Sequence, residues 1–285
     1  MSTVISKEVR VGGSRMKVNA EVYKSAIDVY EDCKKRNITD PSFEDKSKPR
    51  FGSWEGVKTY DEALTFLRNG YQPTVSKLRE KLKVSDPGQK RITFSNNIVG
   101  SAPIVPLAMK GVPNCMIDMR MKQIKCKVVD IYYDMTCSCG TDSEQIIENG
   151  QKMLGAILDL ERQGYRINLY AVQTYSDASS VDMLAVKIKS SNQPLDLKRM
   201  SFPLTHTAFF RVIGFDWYSR FPKGKYRGGY GRALGYTYDD RELKEFANKM
   251  FGYNAIYIAG SKILRQSEDH IKEVLTNAGK QVENR

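Results

Sequence analysis

Histidine is nearly absent: His206 and His270 are the only two in 285 residues. Imidazole-bound metal centres therefore have little to build on. Cysteine is sparse and poorly spaced for such a site. The five thiols, Cys33, Cys115, Cys126, Cys137 and Cys139, are odd in number. Their one close pair, Cys137-Ser-Cys139, lacks the two-residue gap of zinc and redox motifs, so reduced, buried thiols are expected. No apolar run approaches the ~18–20 residues of a membrane span. The opening Met-Ser-Thr-Val-Ile-Ser-Lys-Glu has no apolar signal core, which predicts an intracellular protein with no membrane partner. Gly-x-Ser-x-Gly, the phosphate-binding loop, the dinucleotide fingerprint and His-Glu-x-x-His are all missing, which removes the usual signatures of several enzyme classes.

What is present is a core and an excess of positive charge. Hydrophobic residues make up 41% of the chain, enough to bury a real interior in one large domain or two modest ones. Lys and Arg number 45 against 33 Asp and Glu, a formal charge of +12. That balance favours polyanionic partners, nucleic acid or an acidic protein face among them.

The organising stretch runs from Lys127 to Gln173. Val128, Val129, Ile131, Tyr132 and Tyr133 form a nearly continuous apolar run that ends at Asp134, the pattern of a strand covered on both faces. Helical spacing follows from Ser143 to Gly164, with acidic residues at its start. A second apolar strand, Arg166 to Gln173, comes next. This strand–helix–strand unit predicts parallel neighbours, with Asp134, Thr136 and Ser138 at the carboxyl edge where such sheets bind ligands.

Around this unit the chain reads as follows. Residues 1–18 suggest an irregular arm or short strand, and Ala20 to Lys35 a helix. Asn37 to Arg50 is a polar loop. Thr59 caps a helix whose third residue is Glu62, Gly70 ends it, and Trp54 is placed to staple its start. Pro73 opens a short helix, Thr74 to Leu82, and Lys90 to Ser95 is a strand. Residues 97–116, apolar but rich in Pro and Gly, are expected to be a buried irregular connection. Val181 to Lys189 is a third strand with Lys187 and Lys189 on a wet face. An aromatic-rich element spans 208–218, a helix begins at Asp239-Asp240, Asn254 to Gly260 is a fourth strand, and Ser267 to Ala278 a last helix.

Three places offer chemistry. Asp134, Thr136 and Ser138 are hard oxygen donors at alternate positions, suited to Mg²⁺ but equally suited to capping and turning the chain. Lys223, Lys225, Tyr226, Arg227, Tyr230 and Arg232 place cations for phosphates and rings for bases on a Gly-rich backbone. His206 lies among hydroxyls, where a hydrogen-bonded structural role is expected over general-base work.

The Asp134 loop resembles the metal-binding loop of von Willebrand factor A domains, Asp-x-Ser-x-Ser, with Thr136 in place of the first Ser. In that family a Thr from a later loop and an Asp after another strand complete the site. The resemblance thus brings in Thr205 (or Thr207) and Asp177. Other blocks are similar to an uncharacterised family of tailed-bacteriophage proteins: Gly56-Val-Lys-Thr59-Tyr60-Asp61-Glu62-Ala63-Leu64 with Gly70-Tyr71; residues 100–116; Leu158 to Arg166; and Pro194-Leu-Asp196 leading to Leu204-Thr-His206-Thr-Ala208-Phe-Phe-Arg211. That resemblance spans about residues 50–235 and implies a phage context, in the host cytoplasm or the virion, without an activity.

The expected fold is α/β: a helical, loop-rich region over residues 1–115 and a Rossmann-like, von Willebrand A-like domain over 116–285. The expected function is a phage accessory protein that binds a macromolecule, a host or phage protein or nucleic acid, and perturbs a host defence or replication assembly. The alternatives are a Mg²⁺-dependent phosphoesterase or nuclease built on Asp134, and a basic virion component. A homo-oligomer is compatible with all three.

Overall fold

The computed structural model describes residues 2–35, 49, 51–82, 92–121, 127–138, 140–177, 179–221 and 233–263. Its centre is a six-stranded mixed sheet in the order β1-β2-β8-β7-β6-β9. The apolar run before Met135 is β6 (Lys127–Asp134). It lies inside the sheet, parallel both to β7 (Tyr165–Ser176) and to β9 (Ala255–Ala259). Strand β8 (Ser180–Lys189) runs antiparallel to β7, and β2 (Ser14–Tyr23) runs parallel to β8. The other edge is β1 (Ser2–Val11), antiparallel to β2.

The N-terminal hairpin corrects two sequence expectations. Of the irregular arm or short strand expected at the N-terminus, residues 2–18 take the strand form, but as parts of two ten-residue strands, and the helix expected from Ala20 begins only at Ala26, as α1 (Ala26–Lys35). The turn is Gly12-Gly13, with φ of 55° and 85°, left-handed values that suit a two-residue hairpin loop. Pairing with β8 holds Ala20 to Tyr23 extended, so tertiary pairing overrides local helical spacing. The sheet thus takes strands from both sides of residue 115.

Alternation along the strands feeds two cores. On one face Val129, Ile131, Tyr133, Ile167, Leu169, Leu184 and Val186 meet several helices. These are α1, α2 (Tyr60–Asn69), α3 (Gln72–Leu82), α5 (Ser143–Arg162), α6 (Leu197–Thr205), a π-helical turn (Phe209–Gly214) and α7 (Phe215–Arg220). On the other face Tyr132, Tyr170, Val172, Tyr257 and the hairpin's Val9, Val11 and Val18 close over α9 (Asp240–Phe251) and α8 (Leu234–Thr237). Helix α9 reaches both sheet edges. Phe246 packs edge-on against Tyr257 of β9, while Lys249 Nζ donates to Arg10 O and Lys7 Nζ to Met250 O. The sheet therefore curls around it. A short α10 (Gly260–Ile263) follows β9 directly.

Helix starts follow the capping logic of the sequence. Thr59 Oγ1 accepts from Glu62 N, and Asp239 and Glu242 form a reciprocal capping box at α9. Lys189 departs from expectation: its ammonium is buried and paired with Glu161, 2.6 Å away, and Lys187 lies over the Tyr170 ring. The two lysines part at a register shift of the β7–β8 pairing between Leu169 and Tyr170, so Lys189 turns to Glu161 of α5 while Lys187 lies on the opposite face with Tyr170, and the wet face expected for both is not shared.

A second, three-stranded sheet stands apart in sequence from this architecture. It has the order β3-β5-β4, with β3 (Ile92–Asn97), β4 (Ala102–Pro103) and β5 (Met116–Met121), and the short α4 (Val105–Met109) lies between β4 and β5. This reverses the expectation of a buried connection. No residue of 94–119 is buried.

Candidate functional site

Asp134 sits where the chain order of the sheet reverses. From β6 the chain passes through α5 to β7 on one side, and β9 flanks it on the other. In open α/β sheets such a reversal point, beyond the carboxyl ends of the strands, is the usual ligand crevice. Asp134 pairs in register with Ala259 and Val172.

The carboxylate is fully buried, and its neighbours converge on it. Thr136 N donates to Oδ1 at 3.0 Å, while Thr174 Oγ1 and Tyr257 OH donate to Oδ2 at 2.8 and 2.6 Å. Thr136 Oγ1 in turn accepts from Thr174 N. Burial pushes the Asp134 carboxyl above its ordinary range, and these hydrogen bonds only partly offset that shift. The same burial, with the adjacent carboxylate, drives the Tyr257 phenol well above its usual value. The arrangement ties three strand ends together.

For Mg²⁺ the arrangement leaves little of the carboxylate free. A hard cation needs the oxygen lone pairs and room for water, and here protein donors occupy the carboxylate. Ser138 is exposed, donating its N–H to Tyr236 OH and accepting from Gly140 N. Thr205 belongs to another network, donating to Ser201 O and sharing a hydrogen bond with Thr74 Oγ1. Thr207 donates to Glu55 O, and Asp177 accepts from Ser179 and Ser180 in the β7–β8 turn. Among the described residues no three His, Cys, Asp or Glu side chains come together as metal ligands. The basic segment Lys223, Lys225, Tyr226, Arg227, Tyr230 and Arg232 lies outside the described residues, as do most of the 37–50 loop and the last helix.

Two of the sequence blocks meet in space. Gly56, at φ 74°, lies against His206 and Thr207, where a Cβ would come within 3.0 Å of the imidazole and 2.8 Å of the Thr207 hydroxyl. His206 Nδ1 accepts from Ala208 N, and its ring meets Tyr71 edge-on at 4.4 Å. Burial pulls the imidazole down to about 4, so it is neutral at pH 7 and structural. Arg211 closes the assembly by donating to Trp54 O and Thr141 O beneath the Trp54 ring. Trp54 packs on Arg211 and Phe215.

Two constellations were not evident from the sequence. In α7, Asp216 and Arg220 form a buried, two-pronged ion pair, and Tyr60 OH donates to the same carboxylate at 2.6 Å. Their i,i+4 spacing inside an aromatic run was the available signal. Burial beside Asp216 pushes the Cys33 thiol up to about 11, which makes it a poor nucleophile. The second constellation is the exposed apolar surface of 94–119. Phe94, Ile98, Val99, Val105, Met109, Val112 and Met119 are seven of the thirteen large hydrophobics exposed among the described residues.

A family model for a domain of unknown function (DUF7192) matches residues 6–281. The chain belongs to the DUF7192 family. No curated protein and no solved structure matches it. The DUF7192 match runs unbroken through the N-terminal hairpin, the exposed three-stranded element and the Asp134 strand. No helix among the described residues is long and apolar enough to cross a membrane.

Proposed function

We propose that this DUF7192 chain is a binding protein of phage context that acts by engaging another macromolecule, without catalysing a reaction. The observation that carries this reading is the 92–121 element. Exposed apolar residues are normally scattered singly, and their concentration in one place marks an interaction site. Here seven cluster in one short element with no buried residue in 94–119. The Asp134 crevice supports the same choice, because its carboxylate is buried and held by internal donors.

Within this reading the larger sheet is Rossmann-like, of the von Willebrand A kind. Its support is the interior position of β6, parallel to both neighbours, with α5 following directly. That architecture serves as a rigid scaffold for a displayed surface. The excess of cations would assist a partner carrying negative charge.

The test is affinity purification of the full chain from infected cells, with mass spectrometry and a nuclease-treated control. Wild type is compared with Phe94→Ser/Met119→Ser. Recovery of a partner that the double variant loses supports the reading. Recovery of none under any condition, or of one indifferent to the variant, counts against it.

A further inference from the structure

We infer that the outer end of the three-stranded element is a membrane-surface anchor, which seats its apolar loops in the headgroup region of an anionic lipid bilayer. The inference rests on reading residues 92–121 as an interaction surface and names what meets its tip. A surface attachment needs no spanning helix, so the expectation of no membrane partner, drawn from the lack of a long apolar run, does not exclude it. Both links from this element to the rest of the chain leave from one end: β3 begins at Ile92, opposite Met121, where β5 ends. The far end, where Asn97 and Pro103 both lie opposite Met116, carries the loops. There Ile98, Val99, Val105, Met109 and Val112 are all exposed, Val99 at 77% and Met109 at 83%.

The loops hold these side chains out on an ordered backbone. Ser101 N donates to Ile117 O, Ile104 N to Cys115 O and Val112 N to Leu107 O. Gly100 lies against β5, where a Cβ would come within 2.2 Å of Ile117 O. Backbone groups already paired within the element cost less to take out of water.

Charge selects lipid as the occupant. From residue 87 to 127 the chain holds seven Lys or Arg and one acid, Asp118, whose carboxylate accepts from Asn97 Nδ2. Lys110 is the one charge in the loops (98–115), while Lys90, Arg91, Arg120, Lys122 and Lys125 stand in sequence at the two links. At a rise of about 3.4 Å per residue, the link and loop ends of β3 are roughly 17 Å apart. An interfacial segment sinks about 5–10 Å into the boundary of headgroups and acyl chains, which leaves the links near the lipid surface and its negative potential. Apolar loops ahead of a basic collar thus match an anionic bilayer in both depth and sign. Other partners match less well. No ring projects from residues 98–115 for a base to stack on. Protein hot spots favour Trp, Tyr and Arg over Val, and three of the five exposed loop side chains are Val99, Val105 and Val112.

Flotation of the full chain with lipid vesicles is the direct test. At about 0.15 M salt the chain should rise with vesicles of equimolar phosphatidylglycerol and phosphatidylcholine, and not with phosphatidylcholine alone. Val99→Ser/Met109→Ser, which makes the tip polar, and Lys90→Glu/Arg91→Glu, which reverses the charge at one link, should each weaken the partition at least tenfold. Circular dichroism checks that both variants remain folded. Val99→Trp should gain, beyond wild type, a blue-shifted emission on anionic vesicles that brominated acyl chains quench, a signal that adsorption by charge alone does not give. No flotation with anionic vesicles would overturn the inference. So would flotation indifferent to Val99→Ser/Met109→Ser, which would mean adsorption of a chain of charge +12. Failure to float, with a captured protein that Phe94→Ser/Met119→Ser loses, would overturn the anchor and leave the binder reading standing. Flotation that the tip variant abolishes, with no protein or nucleic acid recovered from infected cells, would support the anchor and remove the macromolecular reading.

Discussion

The two sheets are both built from apolar sequence, and they treat it in opposite ways. In the large sheet, Val129, Ile131, Tyr132 and Tyr133 vanish between helical layers, and the polar group that ends the strand, Asp134, is buried with its own donors. In the small sheet, Phe94, Ile98, Val99 and Met119 stay in solvent. Composition does not separate them, because stretches of either kind would pass as core. What differs is cover. The β6 strand is followed by a 20-residue amphipathic helix able to pay its way by lying on the sheet. The 97–116 stretch, broken by Pro103, Pro106 and Pro113, yields only the five-residue α4, too short to roof anything.

The largest effects should come from buried polar groups of the large unit. Asp216→Ala would leave the Arg220 guanidinium charged and buried without its carboxylate, since Asp216 holds the Arg220 pKa above its ordinary value against the cost of burial. A loss of about 3–5 kcal/mol is expected in urea unfolding. Asp134→Ala should cost about 2–3 kcal/mol, because Thr136 N–H and the Thr174 and Tyr257 hydroxyls lose their acceptor. Asp134→Asn, which keeps one carbonyl oxygen and carries no charge, should cost clearly less. Equal losses in the two Asp134 variants would mean that the charge itself holds the strand ends.

Acid should act on the same unit through His206. Its folded pKa, about 4, lies below the ordinary 6.5, so between these values the unfolded chain binds the extra proton. Stability from this group is complete above pH 6.5 and falls as the pH drops towards 4, by about 3 kcal/mol in all. Asp134 works in the opposite sense, since its raised carboxyl takes up a proton in the folded state first. Melting curves across pH 7 to 4 should therefore show a net loss that His206→Gln flattens. An unchanged slope in that variant would remove His206 as the cause.

Sequence carried most of the large sheet and, of the small one, only β3, for physical reasons. The Thr59–Glu62 cap, the Asp239 helix start and the β6-α5-β7 unit were legible because each is local, with turn and cap chemistry at fixed offsets. The β2 strand was missed because its extended form depends on β8, more than 150 residues away. The Gly12-Gly13 turn was the overlooked clue. Asp134, Thr136 and Ser138 were placed correctly at a strand end, but Tyr257 and Thr174, which occupy the carboxylate, come from other strands. Alternating hydroxyls cannot reveal which of them turn inward. Apolar content alone points 97–116 to the core, whereas burial requires something to cover it, and no residue of that stretch is buried.

Mutations in the small sheet should barely move folding. Phe94→Ser is expected to change the stability of the unassembled chain by no more than about 0.5 kcal/mol, the range of substitutions at exposed sites. The matching change in the large sheet, Ile131→Ala, should cost about 2–5 kcal/mol, since Ile131 is fully buried. Comparable losses would mean that the ring at 94 packs within the fold, and the contrast between the two sheets would fail.

The smallest effect expected is that of Mg²⁺. A ligand that binds only the folded chain raises its melting temperature by mass action, so a site with micromolar affinity would show a shift of several degrees at millimolar metal. Asp134 already accepts three hydrogen bonds and has no exposed surface. A cation would have to displace the Thr174 and Tyr257 hydroxyls and open a path for water, giving up contacts that hold β6, β7 and β9 together. Melting with 5 mM Mg²⁺ should therefore match melting with chelator to within about 1 °C. A shift of several degrees that Asp134→Asn abolishes would show that the strand ends open to take the ion, and the phosphoesterase reading would then displace the binder.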